Sequence, residues 1–171
     1  DAVLIPEPLG QSILTGQIGV IWFKVSLFGV PRHVFEAQAG VNAIEKCIPV
    51  IGSLRELEAE MNADKHPAYA DVEHPINLNI GIIKGGDWPS TVPAAAEFHC
   101  RLSFFPGETF DRTRRRIIDT IARATKQDPW LAENQPQVEF YGFRSEGHVE
   151  DRNQPAFNTL NDCHREIFGQ D

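Results

Sequence analysis

Cysteine is scarce in this chain of 171 residues: there are three, Cys47, Cys100 and Cys163. They are odd in number and far apart, which is neither a disulfide framework nor a zinc spacing, so a reducing, cytoplasmic compartment is expected. No apolar run approaches the roughly 20 residues of a membrane span, so no membrane partner is expected. Positive charge is short as well. The 16 Lys and Arg stand against 24 Asp and Glu, a net charge of −8, whereas a nucleic-acid backbone needs a basic face as its partner. The one basic cluster, Arg112 with Arg114, Arg115 and Arg116, opens a predicted helix and reads as a solvated helix face. A signal peptide and an initiator methionine are both missing. The chain opens on a strand-like run, Ala2 to Ile5, and stops just after a helical pattern, as an excised piece of a longer protein would. What is present, 42% apolar and 23% charged, suffices for the core of one domain.

The most strongly specified stretch is Phe28 to Ile44. A long apolar strand feeds into it and a long helix leaves it. Gly29 frees the backbone after the strand, and Pro31 fixes its own φ and restricts its neighbour. His33 is thereby offered from a constrained loop, either as a working side chain or as a surface histidine in an ordinary connection. Asn42 and Glu45 read as a helix N-cap with its capping-box partner.

Around this stretch the chain reads as alternating elements. Ala2 to Ile5 is a short buried-type strand that ends in Pro6-Glu7-Pro8, with Glu7 held stiffly between two prolines. Gln17 to Val30 is a strand whose odd positions are apolar. A helix follows from Ala43 to about Asn62, with Ile44, Ile48, Ile51, Leu54, Leu57, Glu58 and Met61 at helical spacing and a kink expected at Pro49. His66 and His74 fall in a polar loop and suit no standard metal site. Ile76 to Ile83 is a second strand, with Ile76, Leu78, Ile80 and Ile82 on one side. Thr91 or Val92 to Phe105 is a third, with Ala94 through Phe104 alternating inward and Glu97, His99 and Arg101 opposite. That second face is either a binding surface or the watery side of a sheet. A helix from Phe110 to about Gln127 carries Ile117, Ile118, Ile121 and Ala124 inward, and Gln137 to Phe143 is the fourth strand. Pro155 opens a last helix toward Phe168.

Strand, helix, strand, strand, helix, strand is the split βαβ order of an α+β, ferredoxin-like domain: a four-stranded antiparallel sheet with two helices on one face. That lobe is expected over residues 16–145. Residues 1–15 and 146–171 are expected to be stubs of a separate α/β catalytic domain into which the lobe is inserted.

Several segments in this order resemble the M20 family of zinc aminoacylases and peptidases, in which a ferredoxin-like lid or dimerisation domain interrupts a two-zinc catalytic domain. They are Ile5-Pro6-Glu7-Pro8, Gly29 to His33 followed by Gly40 to Ile44, Gly85 to Pro93, and the strand leading to Arg101. The wording from Gly85 to Pro93 is most similar to the acetylornithine deacetylase-like branch. The resemblance implies a zinc-dependent amidohydrolase that removes N-acyl groups from small N-acyl amino acids, with two zinc ions replaceable by cobalt. It implies that Glu7 is a carboxylate zinc ligand and that His33 reaches the partner subunit's active site as an oxyanion donor. Arg101 would hold the substrate carboxylate with its forked donors. Ser90 stands where the family commonly has a substrate-contacting asparagine, and its shorter hydroxyl reaches less far. With one such ligand, this stretch alone is expected to bind no catalytic metal and to hydrolyse nothing.

The predicted strand 76–83 is an edge with neither proline nor charge, and such an edge invites a second strand. A homodimer through strand 76–83 and helix 43–62 is therefore expected. The competing readings are a stand-alone ferredoxin-like ligand-binding or regulatory dimer and an RNA-binding sheet. Acidity, and Glu97, His99 and Arg101 in place of solvent-side aromatics, count against the latter.

Overall fold

Alternation along one ten-residue stretch builds the centre of the molecule. In a computed structural model describing residues 3–6, 10 and 12–169, Gly19–Phe28 forms a strand whose Ile21, Phe23, Val25 and Leu27 are buried. In chain order the elements are β1 (Gly16–Gln17), β2 (Gly19–Phe28), α1 (Ala43–Ala63), β3 (Leu78–Gly85), β4 (Ala95–Phe104), α2 (Phe110–Thr125), α3 (Pro129–Glu133), β5 (Gln137–Ser145), β6 (His148–Val149) and α4 (Pro155–Phe168). Four strands form an antiparallel sheet in the order β3-β4-β2-β5, the ferredoxin-like arrangement. Both long helices pack on one face of it. Phe23, Phe98, Phe104 and Leu102 from the sheet meet Val50 and Leu54 of α1 and Ile117 and Ile121 of α2 in a single core.

β1 and β6 pair with each other, Gly16 opposite Val149, and stand apart from the four-stranded sheet. The Glu150 amide donates to the Thr15 carbonyl at 2.7 Å, so the chain enters and leaves the lobe at one place.

Several expectations are corrected. Residues 3–6 form no strand, and Val3, Leu4 and Ile5 are exposed; an apolar run with no neighbouring strand has nothing to pair with. Glu7 lies outside the described residues. α1 runs through Pro49 without a break: Pro49 is exposed and forfeits only the bond to the Glu45 carbonyl, on the solvent side. The inward stripe of α1 is Ala43, Cys47, Val50, Leu54, Leu57, Glu58 and Met61, which leaves Ile44 and Ile48 exposed. In β3 the pairing jumps between Ile80, opposite Cys100, and Ile82, opposite His99. This bulge at Gly81 turns Ile82 to the other face from Ile80. Ala94 and Ile118 are exposed rather than buried. Asp128-Pro129 ends α2 and also starts α3, because the Asp128 carboxylate accepts from the Trp130 and Leu131 amides. His66 and His74 have structural roles. His66 Nδ1 accepts from the Ala68 amide at 3.1 Å while its ring stacks on Phe105, and His74 Nε2 lies 3.2 Å from Glu58.

Burial pushes the Cys47 and Cys100 thiols up to about 11 and about 12, so neither is a ready nucleophile. No helix among the described residues is long and apolar enough to cross a membrane.

Candidate functional site

At the C-terminal end of β2 two loops clasp each other. Val30 and Val41 exchange both backbone hydrogen bonds, at 2.9 and 3.0 Å. The Val34 amide donates to the Ser90 carbonyl at 2.9 Å, the Val92 amide donates to the Arg32 carbonyl at 2.8 Å, and His33 is bridged to Thr91. Gly29 is needed here for space. A Cβ at that position would stand 2.0 Å from the Val41 carbonyl oxygen. The freedom of φ inferred from the sequence is thus secondary to a close crossing of two backbones.

This clasp carries His33. The residue is exposed and caps the 3-10 turn Val34–Ala39, its Nδ1 accepting from the Phe35 amide at 3.2 Å. In the neutral ring, accepting at Nδ1 places the proton on Nε2, which makes that nitrogen a free donor. Beside the loop lies a groove of about 530 Å³, lined by Val34, Ile44, Trp88, Val92 and Pro93 among others.

The structure brings His33 and Ser90 together but leaves Arg101 apart. Arg101 sits on the sheet face opposite the helices, about 20 Å along β4 from its Ala95 end. On that face Lys24 pairs with Glu139 at 2.7 Å. The Glu139 carboxylate holds Lys24 above the ordinary lysine range, and Lys24 holds Glu139 below the ordinary carboxylate range. Tyr141 and Trp22, which no local motif in the sequence marks, join the face that Glu97, His99 and Arg101 occupy. The Tyr141 hydroxyl is hydrogen-bonded to His99 Nδ1, and His99 Nε2 lies 3.4 Å from Glu97 Oε1. The hint in the sequence is the alternation of Glu139, Tyr141 and Phe143, all on the face away from the core.

Among the described residues no group of three or more His, Cys, Asp or Glu side chains is placed to hold a metal ion. The described residues therefore do not by themselves fit a metal centre.

The lobe is thus an antiparallel ferredoxin-like sheet that holds His33 on a clasped loop and leaves the β3 edge open. Residues 15–129 match the peptidase dimerisation domain of the M20 family, and the chain belongs to that family. It is 29% identical over 144 residues to the acetylornithine deacetylase of Salmonella arizonae, covering 82% of this chain and 37% of that protein. The fold resembles the di-peptidase Dug1p from Saccharomyces cerevisiae, with a TM-score of 0.67 at 15% identity over 92% of this chain and 42% of that one. It also resembles a tripeptidase from Staphylococcus aureus, with a TM-score of 0.63 at 15% identity over 90% and 36% of the two chains. The chain thus spans about a third of the length of the relatives it matches.

Proposed function

We propose that this chain is the lid and dimerisation lobe of a zinc-dependent amidohydrolase that removes N-acyl groups from amino acids, the hydrolytic centre belonging to the longer protein. The observation that carries this reading is the clasped His33 loop: with Nδ1 held by the Phe35 amide, Nε2–H is free to donate to a developing oxyanion. The acetylornithine deacetylase relative supports acyl removal as the chemistry. The paired β1 and β6 support residues 1–15 and 146–171 as neighbouring segments of the host domain. Deacylation of N-acetyl amino acids by the full-length protein is expected to stop on chelation and to return with zinc. Turnover indifferent to a chelator would remove the zinc assignment.

The pairing surface proposed is the free edge of β3 with the adjoining side of α1. Ile48 of α1 is 66% exposed and Ile83 of β3 57%, and the only charge on that strand is Lys84. Ile83→Lys is expected to raise the dimer dissociation constant about tenfold, roughly 1.4 kcal/mol, with little change in the fold. Light scattering across a dilution series checks this, and an undisturbed dimer would place the interface elsewhere.

A further inference from the structure

The sheet face turned away from the helices is not furnished like a surface that only meets water. Trp22 stands directly opposite Arg101 in the β2–β4 register. On its other side the β2–β5 pairing jumps from Phe23 opposite Phe140 to Ile21 opposite Arg144, so Tyr141, Gly142 and Phe143 all lie against the single residue Trp22. Gly142 adopts φ +67°, and a Cβ there would stand 2.7 Å from the indole. This bulge seats the Trp22 ring, with Tyr141 and Phe143 meeting it edge-on, each 6.4 Å between centroids. Trp22 remains 37% and Phe143 54% exposed. Bulges of this kind recur beside functional sites, where they re-aim side chains.

The charges beside this aromatic seat are balanced with one exception. Lys24 is bound to Glu139, and Glu97 faces both His99 and Lys84, the latter at 3.9 Å. Among the described residues Arg101 has no carboxylate partner, although the chain carries a net charge of −8. A guanidinium without a carboxylate partner, on the residue opposite an exposed indole in the register, suits a ligand with a carboxylate at one end and an apolar or aromatic group at the other. A cationic group finds no free counter-ion here, since Glu97 and Glu139 are already engaged.

We propose that Trp22, with Phe143 beside it, is a specificity-determining surface for the apolar side chain of an N-acyl amino acid whose carboxylate is held by Arg101. The Tyr141–His99–Glu97 chain is a positioning element that fixes the phenol edge of the seat. The inference rests on the reading of Arg101 as the carboxylate holder and deepens it by naming the substrate class: aromatic or branched apolar amino acids in preference to ornithine-like cations.

The test is steady-state deacylation by the full-length holoenzyme of N-acetylphenylalanine, N-acetylalanine and N-acetylornithine. The wild type is expected to favour N-acetylphenylalanine. Trp22→Ala is expected to lower its kcat/KM ratio over N-acetylalanine about tenfold, chiefly through KM. Trp22→Phe is expected to restore most of that ratio, and Phe143→Ala, at a more exposed position, to lower it about threefold. Binding gives a second readout: titrating the chelated enzyme with N-acetylphenylalanine should change tryptophan fluorescence in the wild type but not in Trp22→Phe. A wild-type preference for N-acetylornithine, or a ratio unmoved by both Trp22→Ala and Phe143→Ala, overturns the proposal. Arg101→Ala separates the two layers of the argument. If it weakens all three substrates while the ratio ignores Trp22, only the aromatic seat is wrong; if it weakens none, the reading of Arg101 falls first.

Discussion

Glu58→Ala is expected to destabilise the fold by about 4 kcal/mol, a large fraction of the 5–15 kcal/mol typical of a domain. The carboxylate, on the buried side of α1, is the point at which helix and edge strand are tied. Its Oε1 accepts from the Leu78 amide at 2.7 Å and lies 3.2 Å from His74 Nε2, while Oε2 accepts from Arg55 at 2.9 Å. Arg55 also donates to the Leu78 carbonyl, and Asn62, one turn on, exchanges bonds with both backbone groups of Ile76. Truncation at Glu58 strands a buried amide and removes the partner of a guanidinium, and unmet buried groups cost more than the bonds themselves contribute. Urea unfolding measures the loss. Glu58→Gln keeps an acceptor for Leu78 but sets an NH2 against Arg55, so it is expected to lose about half as much. A loss below about 1 kcal/mol for the alanine variant would show that Glu58 is not the tie.

The same carboxylate gives the fold an acid dependence of definite sign. Burial alone would push the Glu58 pKa up. The Leu78 amide, Arg55 and His74 outweigh it and hold the group below the ordinary glutamate range. A depressed folded value means that the stabilisation is complete above the unfolded pKa and disappears as the pH falls through the folded one. Stability should therefore decline on the acid side of the ordinary glutamate range, and Glu58→Gln should flatten that decline. Amide exchange should show the break first at Leu78, at the start of the strand proposed to pair in the dimer.

How much of this was legible beforehand follows from what a sequence encodes locally. The alternation from Gly19 to Leu27, the Asn42 cap and the final helix from Pro155 are local patterns, and each reappears in the structure. A strand's alternation says nothing of a bulge, and Gly81 shifts the pairing by one residue, which turns Ile82 to the face away from Ile80. Helical spacing marks an apolar stripe without saying which neighbour covers it, and Ile44 and Ile48, at that spacing, stay exposed. At the candidate site, the loop bearing His33 could be recognised as constrained, but its clasp with Ser90 joins residues more than fifty positions apart. The Tyr141–His99 bond likewise depends on which strands lie side by side in the sheet. The aromatic seat therefore became visible only once the register was known.

Replacing His33 by alanine in the full-length enzyme is expected to cut kcat about 100-fold with KM little changed, because an oxyanion donor acts on the transition state more than on bound substrate. The variant also loses the cap on the 3-10 turn, since Nδ1 no longer accepts from the Phe35 amide. His33→Asn separates these effects, because its Oδ1 can restore the cap while the shorter amide lacks the reach of Nε2. Equal inactivity in both variants assigns the loss to the imidazole; recovery in the asparagine variant assigns it to the turn. Mixing subunits then asks in which active site the imidazole works. A His33→Ala protomer keeps Glu7, the proposed zinc ligand, and a Glu7→Ala protomer keeps His33. If His33 serves the partner, each mixed dimer contains one intact site out of two. Random assortment makes half of the dimers mixed, so two nearly inactive preparations should regain about a quarter of wild-type activity on exchange. If His33 serves its own subunit, neither site in the mixed dimer is whole and the mixture stays as inactive as its components.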